Sequence, residues 1–77
     1  MACRYGRRIM IALRSSNLAG ADYNQFAGAL TVAFHGDRVY EYYGVPVSVY
    51  WGLLNAESHG RYFHRHIKHR YKYRRLK

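Results

Sequence analysis

Seventy-seven residues make one small domain: a chain this short buries only ~60–65% of its unfolded surface, leaving no room for a second domain or a deep walled pocket. Hydrophobic residues at 49% and aromatic ones at 17% argue against disorder, and Cys3, the one cysteine, excludes an internal disulfide and fits a reducing, cytoplasmic setting. The charge of +9 is lopsided, because residues 58–77 carry eight cations and no acid, whereas residues 1–57 set five arginines against all four acids; such asymmetry points to a negatively charged partner.

The chain opens with "MACRYGRRIMIALR", a basic arm over residues 1–14 that holds Arg7 and Arg8 and a short candidate strand at Ile9–Leu13. Its apolar run is too short for a signal-peptide core of ~7–15 residues. No stretch reaches the ~18 apolar residues of a membrane span. Residues 15–73 then read as the domain proper. Leu18–Tyr23 is a mixed pattern read as a short strand, and "YNQFAGA" is a turn in which Gly28 is free to take a positive φ. In "ALTVAFH", Leu30, Val32 and Phe34 alternate with Thr31, Ala33 and His35, the mark of a half-buried strand. "HGDR" turns the chain into "VYEYY", so the two strands form a hairpin.

At Pro46 the period changes. Proline suits a first helical turn, and Val49, Leu53 and Ala56 recur at helical spacing despite Gly52, which costs ~1 kcal/mol against alanine. Ser58 can cap a second helix. At 100° per residue, Phe63, Ile67 and Tyr71 fall on one stripe of that helix and Arg61, Arg65, Lys68 and Lys72 on the other. Past Tyr71 the helix is expected to fray, leaving residues 74–77 as a basic tail. The fold expected is α+β: a small three-stranded antiparallel β-meander at about 18–23, 29–35 and 39–43, followed by two α-helices at about 46–56 and 59–72 packed on one face. Val49, Leu53, Phe63 and Ile67 should meet Leu30, Val32 and Phe34, with Trp51 at the edge of that core.

An acid-free cationic stripe is the pattern that grips phosphate, each neutralised phosphate releasing a counterion. Arg61, Arg65, Lys68 and Lys72 form its ordered part, with Arg70, Arg74, Arg75, Lys77 and the arm's Arg7 and Arg8 as flanking reach. An ordinary solvated face would mix signs. Tyr40 and Tyr42, two apart on a strand, share a side of the sheet and are candidates for stacking on bases. Large aromatics more often lie under the helices of a sheet with one covered face, which favours the core for both. His59, His64, His66 and His69 lack convergent metal-ligand spacing and have no cysteine near them, so no metal is expected. They add charge instead, since a free histidine titrates near ~6.5. Asp22, Asp37, Glu41 and Glu57 make no matched pair, no serine or cysteine has a base by spacing, and no glycine-rich loop cradles phosphate. The chain therefore reads as no enzyme and needs no cofactor.

"SSNL", "LTVAF", the Tyr40-x-Tyr42 pair, "VP" at Val45–Pro46, "YWGLLNAESHG" with Ser58 and Gly60, and "YFHRHI" together resemble the KTSC domain family over about residues 15–73. That family occurs as the carboxy-terminal extension of some lysyl-tRNA synthetases and as small stand-alone bacterial and phage proteins. The resemblance implies no particular reaction, and it carries an expectation of RNA binding drawn from the synthetase context. Phe63-His64 departs from the family's usual aromatic-asparagine, as does the arginine-rich start.

The leading expectation is a small nucleic-acid-binding module, RNA ahead of DNA, working through phosphate contacts of its last helix. The alternative is a protein-interaction module that docks its basic face on an acidic partner. An anionic-membrane binder ranks third, because the last helix needs its apolar side for the core.

Overall fold

A computed structural model describes residues 11–13 and 15–77. Five antiparallel strands lie side by side in chain order: β1 (Ile11–Ala12), β2 (Leu18–Asn24), β3 (Ala29–Phe34), β4 (Arg38–Tyr42) and β5 (Tyr73–Arg75). Helices α1 (Val47–Asn55) and α2 (His59–His66) connect β4 to β5. No described helix is long and apolar enough to cross a membrane.

The central hairpin follows the alternation of its sequence. Leu30 pairs with Tyr42, Val32 with Tyr40 and Phe34 with Arg38, so these six side chains share one face. Gly36 and Asp37 turn the chain at φ values of 94° and 68°, the left-handed region that glycine and aspartate tolerate best. The mixed pattern of β2 has a cause. Its register slips between Leu18 and Gly20, and this bulge lets both Leu18 and Ala21 bury their side chains. At the β2–β3 turn, Asn24 Oδ1 accepts from the backbone N–H groups of Phe26 and Ala27 at 3.0 and 3.2 Å.

Leu53, Phe63 and Ile67 cover Leu18, Leu30, Val32 and Tyr42 in one core. Tyr50, rather than Val49, is the more buried contribution of α1; its ring stacks on Tyr23 with centroids 5.1 Å apart. The Tyr23 hydroxyl donates to the Val45 carbonyl at 2.6 Å and fastens the entry of α1 to β2. Trp51 is 56% exposed, outside the core edge expected for it. Ser58 caps α2 as its position suggested, accepting from the Arg61 N–H at 3.2 Å.

Two expectations need correction. The meander has five strands, not three. β1 lies within the candidate strand placed in the arm at Ile9–Leu13 and joins the sheet, pairing Ile11 with Ala21 and Ala12 with Gly20. The second correction concerns the last helix, which stops at His66 instead of running to residue 72. Like charges at i, i+4 along an acid-free helix each cost a few tenths of a kcal/mol (~0.2–0.5), and the histidines and Ile67 are weak helix formers. The edge of β4 offers unpaired backbone groups in competition. The segment expected to fray takes that edge as β5: Tyr43 donates to the Lys72 carbonyl at 2.9 Å, Val39 to Lys77 at 3.0 Å and Leu76 to Val39 at 2.7 Å.

Candidate functional site

The return of the chain as β5 builds a site that a helix would not have made. On the helix-covered face, pairing sets Tyr73 beside Tyr42 and Arg75 beside Tyr40. Leu30 and Tyr42 are buried on this face, Phe34 is partly buried against Phe63 of α2, and Arg38 at the far end is exposed. The result is a cleft of about 270 Å³, walled on the sheet side by Phe34, Arg38, Tyr40 and Tyr73 and on the other by Phe63, His64, Lys68 and His69.

Its floor is aromatic. Tyr73 lies 5.6 Å from Tyr40 and 5.4 Å from Tyr42, ring centre to ring centre, and Phe34 meets Tyr40 and Phe63 edge-on at 5.6 and 5.4 Å. Edge-on and tilted contacts at this spacing are the favoured aromatic geometries. Tyr42 is only 3% exposed and sits at the base, so the core assignment holds for it. Burial, then the neighbouring Tyr73 and Tyr40, pushes its hydroxyl up to about 12. Tyr40 is half-buried at the wall, and Tyr73, at 56% exposed, presents a broad ring to solvent.

Its rim is cationic. The Arg38 guanidinium lies 5.4 Å over the Phe34 ring and that of Arg75 6.0 Å over Tyr40. Lys68 and the edge-to-face pair His64–His69, 5.9 Å apart, complete the opposite lip. None of the described residues that line the cleft is acidic. Glu41 projects from the other face of β4, where it takes a hydrogen bond from the Tyr43 hydroxyl at 2.9 Å and pairs with Arg74 at 3.6 Å.

The single stripe of cations is therefore not present. Arg61 and Arg65 stay together on the exposed side of α2, away from Phe63. Lys68 lines the cleft, and Arg75 stands beside it over the ring of Tyr40. Arg70 bends back to the Arg65 carbonyl at 3.4 Å. Arg74 faces away beside Glu41, Lys72 is exposed just before β5, and the Lys77 carbonyl accepts from Val39 N–H and Arg75 Nε. Arg7 and Arg8 lie outside the described residues. His59 is structural, its Nδ1 within 2.7 Å of the Leu53 carbonyl where α1 ends. Among the described residues no three His, Cys, Asp or Glu side chains converge to hold a metal ion.

Arg38 and Tyr73 went unnoticed in the sequence. Arg38 lies two residues before Tyr40 and hence on its face, and Tyr71-Lys72-Tyr73 alternates as a strand does; both signals were readable.

The KTSC domain profile matches residues 14–71. The chain belongs to the KTSC domain family. A crystal structure of a KTSC domain protein from Yersinia pestis superposes with a TM-score of 0.86 at 26% identity, covering 90% of this chain and 97% of that one. A lysine–tRNA ligase of Trichormus variabilis is 44% identical over 54 residues, 70% of this chain and 10% of the ligase. The chain thus spans only a tenth of that relative's length. An uncharacterized protein of Stutzerimonas stutzeri is 37% identical over 67 residues, 86% of this chain and 94% of that protein. Within this KTSC domain, Phe34, Arg38, Tyr40, Phe63 and Lys68 fall inside the matched span, while Tyr73 and Arg75 lie beyond its end.

Proposed function

We propose that this KTSC domain is a small nucleic-acid-binding module, RNA ahead of DNA, that holds its ligand through phosphate contacts. The observation that carries the reading is the acid-free ring of Arg38, Lys68, Arg75 and two histidines around exposed aromatic surface. A phosphate brought to this rim meets several donors and no carboxylate. The cations come from two strands, β4 and β5, and from the turn that follows α2 rather than from one helical stripe. Relatives named as lysine–tRNA ligases carry a copy of the domain, which fits an RNA partner. A binding role in a chain of this kind needs no catalytic group and no cofactor.

The second reading is a protein-interaction module that docks its basic face on an acidic partner; Phe26, Trp51 and Val47, 94%, 56% and 47% exposed around one shallow depression on another surface, add apolar area for protein contact. Binding assays with mixed tRNA, single-stranded RNA and duplex DNA at ~100 mM salt separate the two, because non-specific nucleic-acid affinities usually lie near 10⁻⁴–10⁻⁶ M. The Arg38→Glu/Lys68→Glu double variant should lose RNA binding with its melting temperature nearly unchanged, since both side chains are exposed. Absence of any shift with micromolar wild-type protein defeats the nucleic-acid reading and leaves the acidic protein partner.

A further inference from the structure

We infer that the cleft seats one unstacked nucleobase of a single strand, with Tyr73 and Tyr40 as stacking surfaces and Arg38, Lys68 and Arg75 on the adjoining phosphates. The inference rests on the nucleic-acid reading above and adds to it the part of the ligand that enters. Size is the first constraint. At about 270 Å³ the cleft falls just short of the ~300–1,000 Å³ of drug-sized sites, so it takes one heterocycle and not a dinucleotide.

Chemistry is the second. A base offers two π faces and a polar edge, and single-strand readers engage the faces with aromatic rings or guanidinium planes. Tyr73 is 56% exposed, and its ring contacts those of Tyr40 and Tyr42 at 5.6 and 5.4 Å. Asn17, whose side-chain amide carries both donor and acceptor, and the ring nitrogens of His64 and His69 line the same space and can meet a base edge.

The third constraint is charge. The Arg38 and Arg75 guanidiniums lie 5.4 and 6.0 Å from their rings, toward the ~6 Å limit of such attraction, so the ring contacts cost little to leave; Arg75 also gives up its Nε hydrogen bond to the Lys77 carbonyl when it swings to a phosphate. A free base has no negative charge to justify such a rim; a nucleotide within a strand has one phosphate on either side. A duplex keeps its bases stacked and paired, and unstacking costs a few kcal/mol (~2–4), so the cleft favours single strands. An acidic peptide would satisfy the rim yet leave the aromatic floor unused.

The test compares four probes on the wild-type domain by fluorescence anisotropy competition: a single-stranded ribohexamer, an abasic hexamer with the same phosphates, a blunt RNA duplex and an oligoglutamate of equal charge. Base docking predicts that the abasic strand binds roughly 5- to 100-fold more weakly than the base-bearing one. Tyr73→Ala should bring the base-bearing strand down to the abasic level and leave the abasic affinity alone, while Tyr73→Phe should keep wild-type behaviour. Equal affinity for the abasic and base-bearing strands overturns the base pocket while the phosphate reading stands. Oligoglutamate matching the base-bearing strand overturns it in favour of an acidic protein. Failure of every nucleic acid to bind removes both proposals together.

Discussion

Tyr42 provides a test of the buried cleft floor that needs no ligand. Its hydroxyl is held at about 12 against 10.0 for an open tyrosine, because ionisation would place a phenolate in the core beside Tyr73 and Tyr40. The folded state therefore favours the protonated form more than the unfolded state does. A group raised on folding contributes stability that is complete below the unfolded value and is lost as pH climbs toward the folded one. The gap corresponds to roughly 2–3 kcal/mol, present in full below about pH 10, half gone near pH 11 and nearly exhausted above pH 12. Tyr42→Phe removes the titrating group and keeps the ring. Urea unfolding followed by circular dichroism at intervals from pH 8.5 to 11.5 should show the wild type losing ~1–2 kcal/mol more than the variant. Tyr50, also raised by burial and by Asp22, is present in both proteins and cancels in the difference. Parallel stability curves would mean that Tyr42 is open to water, and the closed floor of the cleft would be wrong.

Removal of residues 73–77 should lower stability by roughly 2–4 kcal/mol, since several ladder hydrogen bonds at ~1 kcal/mol each and the Tyr73 ring contacts are lost; a frayed tail would leave the melting temperature unchanged. Gly52→Ala should destabilise even though alanine is the better helix former by ~1 kcal/mol, because the added methyl overlaps the Tyr62 ring and overpacking costs ~1–3 kcal/mol. In a Tyr62→Ala background the same substitution should become stabilising, a reversal that thermal unfolding of the four proteins measures directly.

The hairpin, α1, the Ser58 cap and most of the core were legible because local signals and tertiary demands agree there. Val32 and Phe34 alternate, Leu53 recurs at helical spacing, and no distant element competes for them. From Ile67 onward two patterns coexist. Phe63, Ile67 and Tyr71 fit a helical face, yet Tyr71 and Tyr73 also fit one side of a strand. Propensity barely separates them, and the deciding partner is the free edge of β4, more than thirty residues earlier in the chain. That edge exists only once the hairpin has formed. The cleft was hidden for the same reason: it joins Arg38 to Lys68 and Tyr40 to Tyr73 across that distance.

The strand at the end of the chain also changes how many charges can act together. On a helix with a basic tail, as many as eight carboxy-terminal cations, Arg61, Arg65, Lys68 and Lys72 on one stripe and four more as flanking reach, could share one nucleic-acid backbone. The two-residue period of β5 instead sends Tyr73 and Arg75 to the cleft and Arg74 to the opposite face, where Glu41 offsets it. Arg61 and Arg65 occupy another side of α2. A strand bound at the cleft thus neutralises about three phosphates, at Arg38, Lys68 and Arg75. At about 0.7 per contact on single strands, log affinity should fall with log salt at a slope near −2, against −5 to −6 for eight contacts. Raising salt from about 50 to 200 mM should then weaken binding by roughly 20-fold rather than more than a thousandfold. Arg75→Gln should bring the slope down by close to one contact, whereas Arg74→Gln should leave it in place, because Arg74 stands on the face that no bound strand reaches. A slope steeper than −4, or equal sensitivity to both substitutions, would place the ligand across the whole basic surface and not in the cleft.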